Sequence, residues 1–181
     1  MLYKLCIAII IMILPLKVFS AKFSADIEVE TEGKLYQQGK IYVNNSQRRV
    51  EMNDMGVEKT VIILNIKENK GYILIDNEKS YTELGDISVY LKNENQAKSK
   101  IGTTIGRENV EGLNCQILQS DLRYGIKQIY WYAEEIEFPI KIETHINGKV
   151  YSIMRYKNIK KGSLNKELFE IPRGYKKISY H

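Results

Sequence analysis

The sequence predicts a mainly β protein, a single domain in which about ten short antiparallel strands form a sheet that curls into a partial barrel. Three observations favour this class. Apolar and polar residues alternate with a period of two along several segments, turn residues separate those segments, and few segments suit a helix. This combination is typical of an antiparallel sheet that buries one face.

Residues 1–20 have the three-part layout of a secretory signal peptide. Lys4 supplies positive charge, residues 5–14 are almost all apolar, and small residues follow near Ser20. The apolar run is shorter than the roughly 20 residues of a membrane-spanning helix. We therefore predict cleavage after Ser20, export to the bacterial periplasm, and a mature chain that does not span the membrane. Cys6 lies at the beginning of the apolar run, which favours a soluble exported protein over a lipid-anchored one.

Cleavage would leave residues 21–181, long enough for one domain with its own core. It would also remove Lys4 and Lys17, so the formal net charge of +5 would fall to +3. That charge is too small to predict nucleic-acid binding, whereas a weak attraction to anionic lipid headgroups stays open. The mature chain keeps one cysteine, Cys115, which cannot form an internal disulfide. We expect a buried thiol; the alternative is a reactive thiol or one that pairs with a second chain.

The first half of the domain carries strand patterns of two kinds. Residues 23–30 and 35–43 alternate between apolar and polar positions, which predicts one buried face. Residues 61–64 and 72–75 are instead continuous apolar runs, typical of strands covered on both faces. A polar connection containing Gly71 predicts that these two runs form a hairpin.

The pattern changes from Gly85 to Lys100, which we interpret as a short helix opening into a mobile loop. This segment is either a lid over a pocket or a surface crossover. Strands resume at 103–110, 115–124 and 127–132, and the chain is expected to end with one helical turn at 164–169.

Asn147-Gly148 is a strong hairpin signal, because a type I′ turn needs positive φ at both residues. A two-residue loop would set Ile146 opposite Lys149 and Ile142 opposite Ile153.

The same pattern turns His145 toward Glu143 and Lys141, away from the isoleucine stripe. Pro139 cannot donate to a strand ladder, so its strand is expected near an edge or to begin late there.

Candidates for catalysis or metal binding are few. His145 has no cysteine, serine or second histidine at metal or triad spacing, so we interpret it as a solvated strand residue. Glu134, Glu135 and Glu137 could suggest paired carboxylates, but their placement at the beginning of a strand favours solvation. No phosphate-binding glycine loop or nucleophile elbow is present in the sequence. We therefore predict no enzyme activity, no catalytic residue, no metal and no cofactor.

Several segments, taken in order, carry a family resemblance. They include Phe23-Ser-Ala-Asp26, Arg49-Val-Glu-Met52, Ile73-Leu-Ile-Asp-Asn-Glu-Lys-Ser-Tyr81 and Leu168-Phe-Glu-Ile-Pro-Arg-Gly-Tyr175. In these the chain resembles exported domains of unknown function within the LolA/LolB-like lipoprotein-carrier superfamily. The resemblance implies a half-barrel with one or two short helices closing its concave side, and a concavity that shelters acyl chains. It also implies a buried arginine, for which Arg49 is the positional candidate.

We accordingly predict a noncatalytic periplasmic binding or carrier protein whose ligand is a lipid or a lipoprotein acyl chain. The alternative is an envelope interaction or stress-sensor module that binds another protein and carries no lipid. The mature chain contains twelve tyrosines and Trp131. These residue types are common in grooves that are partly exposed to water and in cross-strand packing. The candidates for the apolar groove are the inward-alternating residues Ile27, Val29, Ile41, Val43, Ile63, Ile73, Ile75, Trp131, Ile140 and Ile142.

Overall fold

The protein forms one open, curved sheet, as seen in a computed structural model that describes residues 21–54, 59–87 and 102–178. The strands within these residues number twelve rather than about ten. They are β1 (Lys22–Thr31), β2 (Lys34–Asn44), β3 (Gln47–Asp54), β4 (Thr60–Asn65), β5 (Lys70–Ile75), β6 (Ser80–Leu84), β7 (Thr103–Val110), β8 (Leu113–Asp121), β9 (Ile126–Ala133), β10 (Phe138–Ile146), β11 (Lys149–Lys161) and β12 (Lys176–Lys177).

The strand order is β12-β6-β5-β4-β3-β2-β1-β11-β10-β9-β8-β7. Strands β1 to β6 and β7 to β11 are two meanders, joined where β1 pairs with β11. Every pairing is antiparallel except that of the short β12 with β6. The predicted mainly antiparallel class is confirmed, and the N-terminal strand lies in the middle of the sheet.

One face of the sheet, here called the inner face, carries the main core. On β1 it presents Phe23, Ala25, Ile27 and Val29, all buried, as the period-two alternation predicts. Register extends this face to both neighbours. Ala25 lies opposite Ile41 on β2, and Val29 lies opposite Met154 on β11. A single cluster results, which also includes Val43, Val50, Met52, Cys115, Trp131, Phe138, Ile140, Ile142, Met154 and Tyr156.

The opposite, outer face of the central strands is held by ion pairs. Lys157 Nζ lies 2.6 Å from Glu28 Oε2, and Arg155 Nη1 lies 2.8 Å from Glu30 Oε1, each pair joining β11 to β1. The residues between the inner apolar positions are therefore charged partners across strands.

Strand β4 is covered on both faces, as its continuous apolar run predicts. Ile62 and Leu64 pack with Ile87, whereas Val61 and Ile63 pack with the C-terminal residues 171–175. The predicted hairpin with β5 is confirmed by the antiparallel β4–β5 pairing.

The predicted turn between β10 and β11 is present, with φ of 51° at Asn147 and 78° at Gly148. Ile146 lies opposite Lys149 as predicted, but the register beyond it is wrong by one residue. An irregularity between Thr144 and His145 sets Ile142 opposite Met154 instead of Ile153. A β-bulge of this kind leaves no mark in a period-two pattern.

Of the two alternatives expected for Pro139, the edge position is wrong, whereas the late beginning of its strand agrees with the structure. Strand β10 begins at Phe138 and lies between β9 and β11, well inside the sheet. The register shifts between Pro139 and Lys141, so an irregularity in the ladder accommodates the missing N–H donor.

The expected C-terminal helical turn is confirmed as a 3-10 turn at Lys166–Phe169. It lies on the outer face, where Arg49 Nη1 donates to Leu168 O at 3.2 Å. The other helix was predicted between Gly85 and Lys100, and most of that range, residues 88–100, lies outside the described residues. The predicted signal peptide, residues 1–20, lies outside them as well. Among the described residues, no helix has the length and apolar character needed to cross a membrane.

Candidate functional site: the inner face and its borders

The structure brings most of the predicted groove residues to the inner face. By strand register, Ile27, Val29, Ile41, Val43, Ile73, Ile75 and Ile142 share this face. Ile140 and Trp131 join the same cluster next to the irregularity in β10. All of these are buried except Ile73 and Ile75, which are half-buried on β5. The apolar face therefore becomes more exposed toward the β5 side.

Ile63 is the one candidate that the fold does not bring to this face. It lies opposite Arg49 on β3 and packs with Val61 and Leu74 beneath the C-terminal segment. A continuous apolar run gives no alternation, so its two faces could not be told apart from sequence.

Trp131 forms a polar border of the cluster. Its Nε1 donates to Glu108 Oε2 at 2.5 Å, and Lys141 Nζ lies 3.8 Å from the ring centroid. A cation over an indole face is attracted by the ring's negative quadrupole. Trp131 therefore packs in the apolar cluster and also contacts the charged side chains of Glu108 and Lys141.

A cavity of about 360 Å³ opens near this border. Its lining combines apolar and charged side chains, namely Glu108, Asn109, Val110, Glu111, Ile140, Lys141, Arg155 and Tyr156. A second cavity, of about 380 Å³, has a predominantly polar and charged lining that includes Asp26, Glu28, Lys40, Glu51, Lys59 and Asn158. Neither coincides with the apolar groove candidates, apart from Ile140 in the first and Ile27 in the second.

The buried arginine is Arg48 and not the positional candidate Arg49. Arg48 is fully buried on the inner face, where it lies opposite Val43 on β2 and Leu64 on β4. Its Nη1 donates to Asn45 O at 2.5 Å and to Gln47 O at 2.9 Å. The alternation of Arg48 with Val50 and Met52 was the signal that could have identified it.

Arg49, by contrast, points to the outer face, where its Nε lies 2.6 Å from Glu51 Oε1. Burial raises the pKa of Glu51, but hydrogen bonds from Lys59 and Arg49 outweigh it, so the pKa stays below its ordinary value. Deep burial raises the pKa of the Tyr156 hydroxyl, an effect that the Arg48 charge opposes. The inner face thus holds one cation and a protonated phenol within an apolar cluster.

Three of the four catalytic candidates, His145, Glu134 and Glu135, form ion pairs or hydrogen bonds with charged neighbours. His145 Nε2 lies 3.0 Å from Glu143 Oε2, and Lys141 Nζ lies 2.8 Å from Glu143 Oε1, so His145 faces these residues as predicted. Burial raises the pKa of Glu143, but hydrogen bonds from Lys141 and His145 bring it below its ordinary value.

The turn between β9 and β10 has the same character. Glu134 is exposed and pairs with Arg107 at 3.3 Å, and exposed Glu135 pairs with Lys161. Over residues 21–54, 59–87 and 102–178, no group of three or more histidine, cysteine or acidic side chains is placed to hold a metal ion.

Cys115 is buried, as expected, and its Sγ lies 3.4 Å from Leu113 O. Burial raises the pKa of this thiol, and the nearby Glu108 and Glu134 charges act in the same direction. The thiol therefore stays protonated and is a poor nucleophile.

The open, curved antiparallel sheet with an apolar inner face confirms the predicted fold class, and a family model confirms the predicted resemblance to a domain of unknown function. Residues 24–136 match the family model described as a domain of unknown function (DUF4412). The chain belongs to that family. Among curated proteins, no sequence matches this chain.

Solved structures support the fold. An uncharacterised conserved protein from Thermus thermophilus has a TM-score of 0.66 at 12% identity, covering 88% of this chain and 91% of that one. The MucA/MucB complex of Pseudomonas aeruginosa gives 0.59 at 12% identity, with coverage of 83% and 56%. MucB alone gives 0.55 at 11% identity, with coverage of 85% and 58%. The chain thus spans little more than half the length of these last two.

Proposed function

We propose that this protein is an exported, noncatalytic binding or carrier protein whose inner face shelters a lipid or a lipoprotein acyl chain. The observation that carries the proposal is the apolar cluster of the inner face, which includes buried residues of β3, β2, β1, β11 and β10. An acyl chain needs an apolar surface and no catalytic group, and burying it stabilises the complex by about 0.8 kcal/mol per CH₂.

The open sheet supports this use of the face. In a closed barrel, separating two neighbouring strands breaks ladder hydrogen bonds. In this sheet, β7 and β12 end the strand order, and contacts over the inner face between distant strands are made by side chains. Phe23 on β1 and Phe138 on β10 illustrate this, since their rings meet edge to face at 5.0 Å across the intervening β11. Such contacts can be exchanged for contacts with a ligand while the ladder stays intact.

The β5 side of the face offers a route of access. Ile73 and Ile75 are half-buried, although register places them on the same face as the buried Ile62. Apolar surface that stays in contact with water is a favourable starting point for an apolar ligand, because binding removes it from water. We therefore place the mouth of the proposed site at β5.

The direct test is uptake of a fluorescent fatty acid by the wild type, Ile73→Asp and Ile153→Asp. Both isoleucines are half-buried, but Ile153 lies opposite Glu30 and Glu143, on the outer face. A charge at position 73 should weaken uptake at least tenfold, whereas the change at position 153 should leave it unaltered. Thermal unfolding of both variants verifies that they fold. Equal uptake by all three proteins would contradict the proposed site.

Export is a second part of the proposal, supported by the signal-like pattern of residues 1–20. The mass of the protein isolated from the producing cells tests it. The mass should correspond to a chain beginning at Ala21, and an intact chain beginning at Met1 would contradict cleavage.

A second candidate function is protein binding through the sheet edge. Strand β7 lies at the end of the strand order and is exposed along most of its length. An exposed edge strand offers unpaired backbone groups to an added strand. The likeness to the MucA/MucB complex, itself an assembly of two proteins, supports this candidate.

The edge candidate predicts a co-purifying protein whose binding Ile105→Pro abolishes and Ile153→Asp preserves. A proline on an edge strand is compatible with folding. A protein partner retained by Ile105→Pro would rule out the β7 edge as its binding site.

A further inference from the structure

The exposed apolar side chains of this protein are concentrated at one end of the sheet. Seven large hydrophobic residues are exposed in the described part of the chain. Six of them belong to three hairpins, and the seventh, Ile105, lies on the edge strand β7. The six are Leu35, Tyr36, Leu122, Tyr124, Val150 and Tyr151.

The three hairpins are neighbours in space. They connect β1 to β2, β8 to β9, and β10 to β11, which places their turns at the same end of adjacent strands. Backbone hydrogen bonds join them, from Glu32 N to Tyr151 O at 2.8 Å and from Asn147 N to Gly125 O at 3.2 Å. We call residues 32–36, 122–126 and 147–151 the hairpin rim.

The turns of the rim are tight, because each follows directly from the strands that it connects. Glu32 and Gly33 have φ of 51° and 75°, and Tyr124 and Gly125 have φ of 62° and 70°, so these turns share the positive-φ geometry of the Asn147-Gly148 turn. Tight turns project the flanking side chains outward at the end of each hairpin. Tyr124 is the extreme case, with 91% of its surface exposed.

The charges of the rim are mainly basic. Lys34, Arg123 and Lys149 are exposed, and Glu32 is the single acidic residue in the three ranges. Across the residues that the structure describes, none of these three cations forms an ion pair, in contrast to the paired lysines and arginines of the outer face.

We propose that the hairpin rim binds the surface of an anionic lipid bilayer. Tyrosine suits the membrane interface, because its ring can enter the acyl boundary while its hydroxyl stays among the headgroups. Exposed leucine and valine add apolar area, and clustered lysine and arginine are attracted to anionic headgroups. A cluster of exposed apolar residues bordered by polar ones marks an interaction surface, and the unpaired cations commit this one to an anionic partner.

This inference goes beyond the proposed function and does not depend on it. The rim lies at the strand ends, whereas the proposed ligand site lies on the inner face. Loss of fatty-acid uptake in Ile73→Asp and loss of vesicle binding in rim variants are therefore separable results.

The test is flotation with vesicles of phosphatidylcholine alone and of phosphatidylcholine mixed with phosphatidylglycerol. All proteins are purified as the cell processes them, so any contribution of residues 1–20 is common to every variant. The wild type should float with the anionic vesicles and much less with neutral ones, and added salt should weaken the binding.

Two matched pairs of variants locate the contact. Tyr124→Ser should weaken binding to anionic vesicles about tenfold, because it removes the aromatic ring that would enter the membrane interface. Ile105→Ser removes the one large hydrophobic residue that is exposed outside the rim in the described part of the chain, and it should leave binding unchanged. Lys149→Gln should weaken it about fivefold, whereas Lys67→Gln, in the turn between β4 and β5, should not.

Tyr124→Trp provides a second measurement that does not depend on affinity. Its added indole should shift its emission to the blue on anionic vesicles and be quenched by brominated lipid, above the background from the buried Trp131. Absence of vesicle binding, or equal losses in the rim and control variants, would overturn the proposal. The proposal would also be overturned if the protein did not bind vesicles and the rim variants instead altered self-association or binding to another protein.

Discussion

Strands β1 and β4 lie in the same sheet, but β1 is buried on one face only, whereas β4 is buried on both. On β1 the inner positions are apolar, and the outer Glu28 and Glu30 form ion pairs with Lys157 and Arg155 on β11. On β4 all four residues from Val61 to Leu64 are buried, because the C-terminal segment covers the outer face as well.

This difference shows how the number of buried faces determines the residue pattern of a strand. Water on one face requires alternation, since charged side chains are much better solvated there than in a core. A second apolar cover removes that requirement, and β4 becomes continuous in valine, isoleucine and leucine. The C-terminal segment is therefore part of the core of the β3–β6 half, although it contributes only the short β12 to the sheet.

The largest effect is expected on the inner face itself. Phe138 meets the rings of Phe23 and Tyr156 at centroid distances of 5.0 and 5.2 Å. Phe138→Ala should lower the free energy of unfolding by about 3–5 kcal/mol, because it leaves a cavity where strands β1, β10 and β11 meet. Urea unfolding measures the loss. A loss below about 1 kcal/mol would show that this cluster is not the main core.

The next prediction separates the two outer faces. Ile63→Ala on β4 should lower the free energy of unfolding by about 2–4 kcal/mol, because the side chain is buried under the C-terminal segment. Ile153→Ala on β11 should change it by less than about 1 kcal/mol, since Ile153 is half-exposed among charged neighbours. The same urea experiment compares them. Equal losses would remove the distinction between the β4 and β1 outer faces.

Alkaline pH tests the buried tyrosines. Burial raises the pKa of Tyr130 and of Tyr132 to about 12. Since these folded-state pKa values exceed the ordinary value, their contribution to stability is complete below about pH 10 and is lost as the pH rises toward about 12.

An absorbance titration should accordingly show two classes of tyrosine. The class that ionises late should shrink in Tyr130→Phe. Tyr124→Phe, which removes an exposed tyrosine, is the control and should leave the late class unchanged. A single transition near the ordinary tyrosine pKa would contradict the burial of these side chains.

The smallest effect concerns the outer-face ion pairs. Glu51 and Glu143 have lowered pKa values, so their contribution to stability is present above the ordinary glutamate pKa and is lost as the pH falls through the lowered values. Glu143→Gln should reduce stability at neutral pH by about 1 kcal/mol or less and should flatten its fall in acid. Glu135→Gln, at an exposed pair, is the control. Identical acid dependence in wild type and Glu143→Gln would contradict the prediction.

Much of the fold could be predicted from sequence, because period-two alternation and turn residues report which face is buried. Alternation identified the inner positions of β1 and β2, and the continuous run identified β4 as covered twice. Irregularities could not be predicted in this way. The shift beside His145 moved the β10–β11 register by one residue, and the one near Pro139 allowed a proline inside the sheet.

The candidate site was predicted less completely. Nine of the ten groove candidates lie on the inner face or in its cluster, but Ile63 does not, since a continuous run hides the direction of each side chain. Arg48 was not predicted, because the resemblance indicated its neighbour Arg49, although Arg48 alternates with the buried Val50. The hairpin rim depends on which turns are adjacent, and that follows from the β1–β11 pairing, which no local pattern reveals.

The most direct test of the central claim is native mass spectrometry of the protein isolated from the producing cells without detergent. The proposal predicts an adduct of lipid mass that is lost on organic extraction, is greatly reduced in Ile73→Asp, and persists in Ile153→Asp. A bare protein mass in all three, with no uptake of added fatty acid or lipopeptide, would contradict the claim that the inner face shelters an apolar ligand.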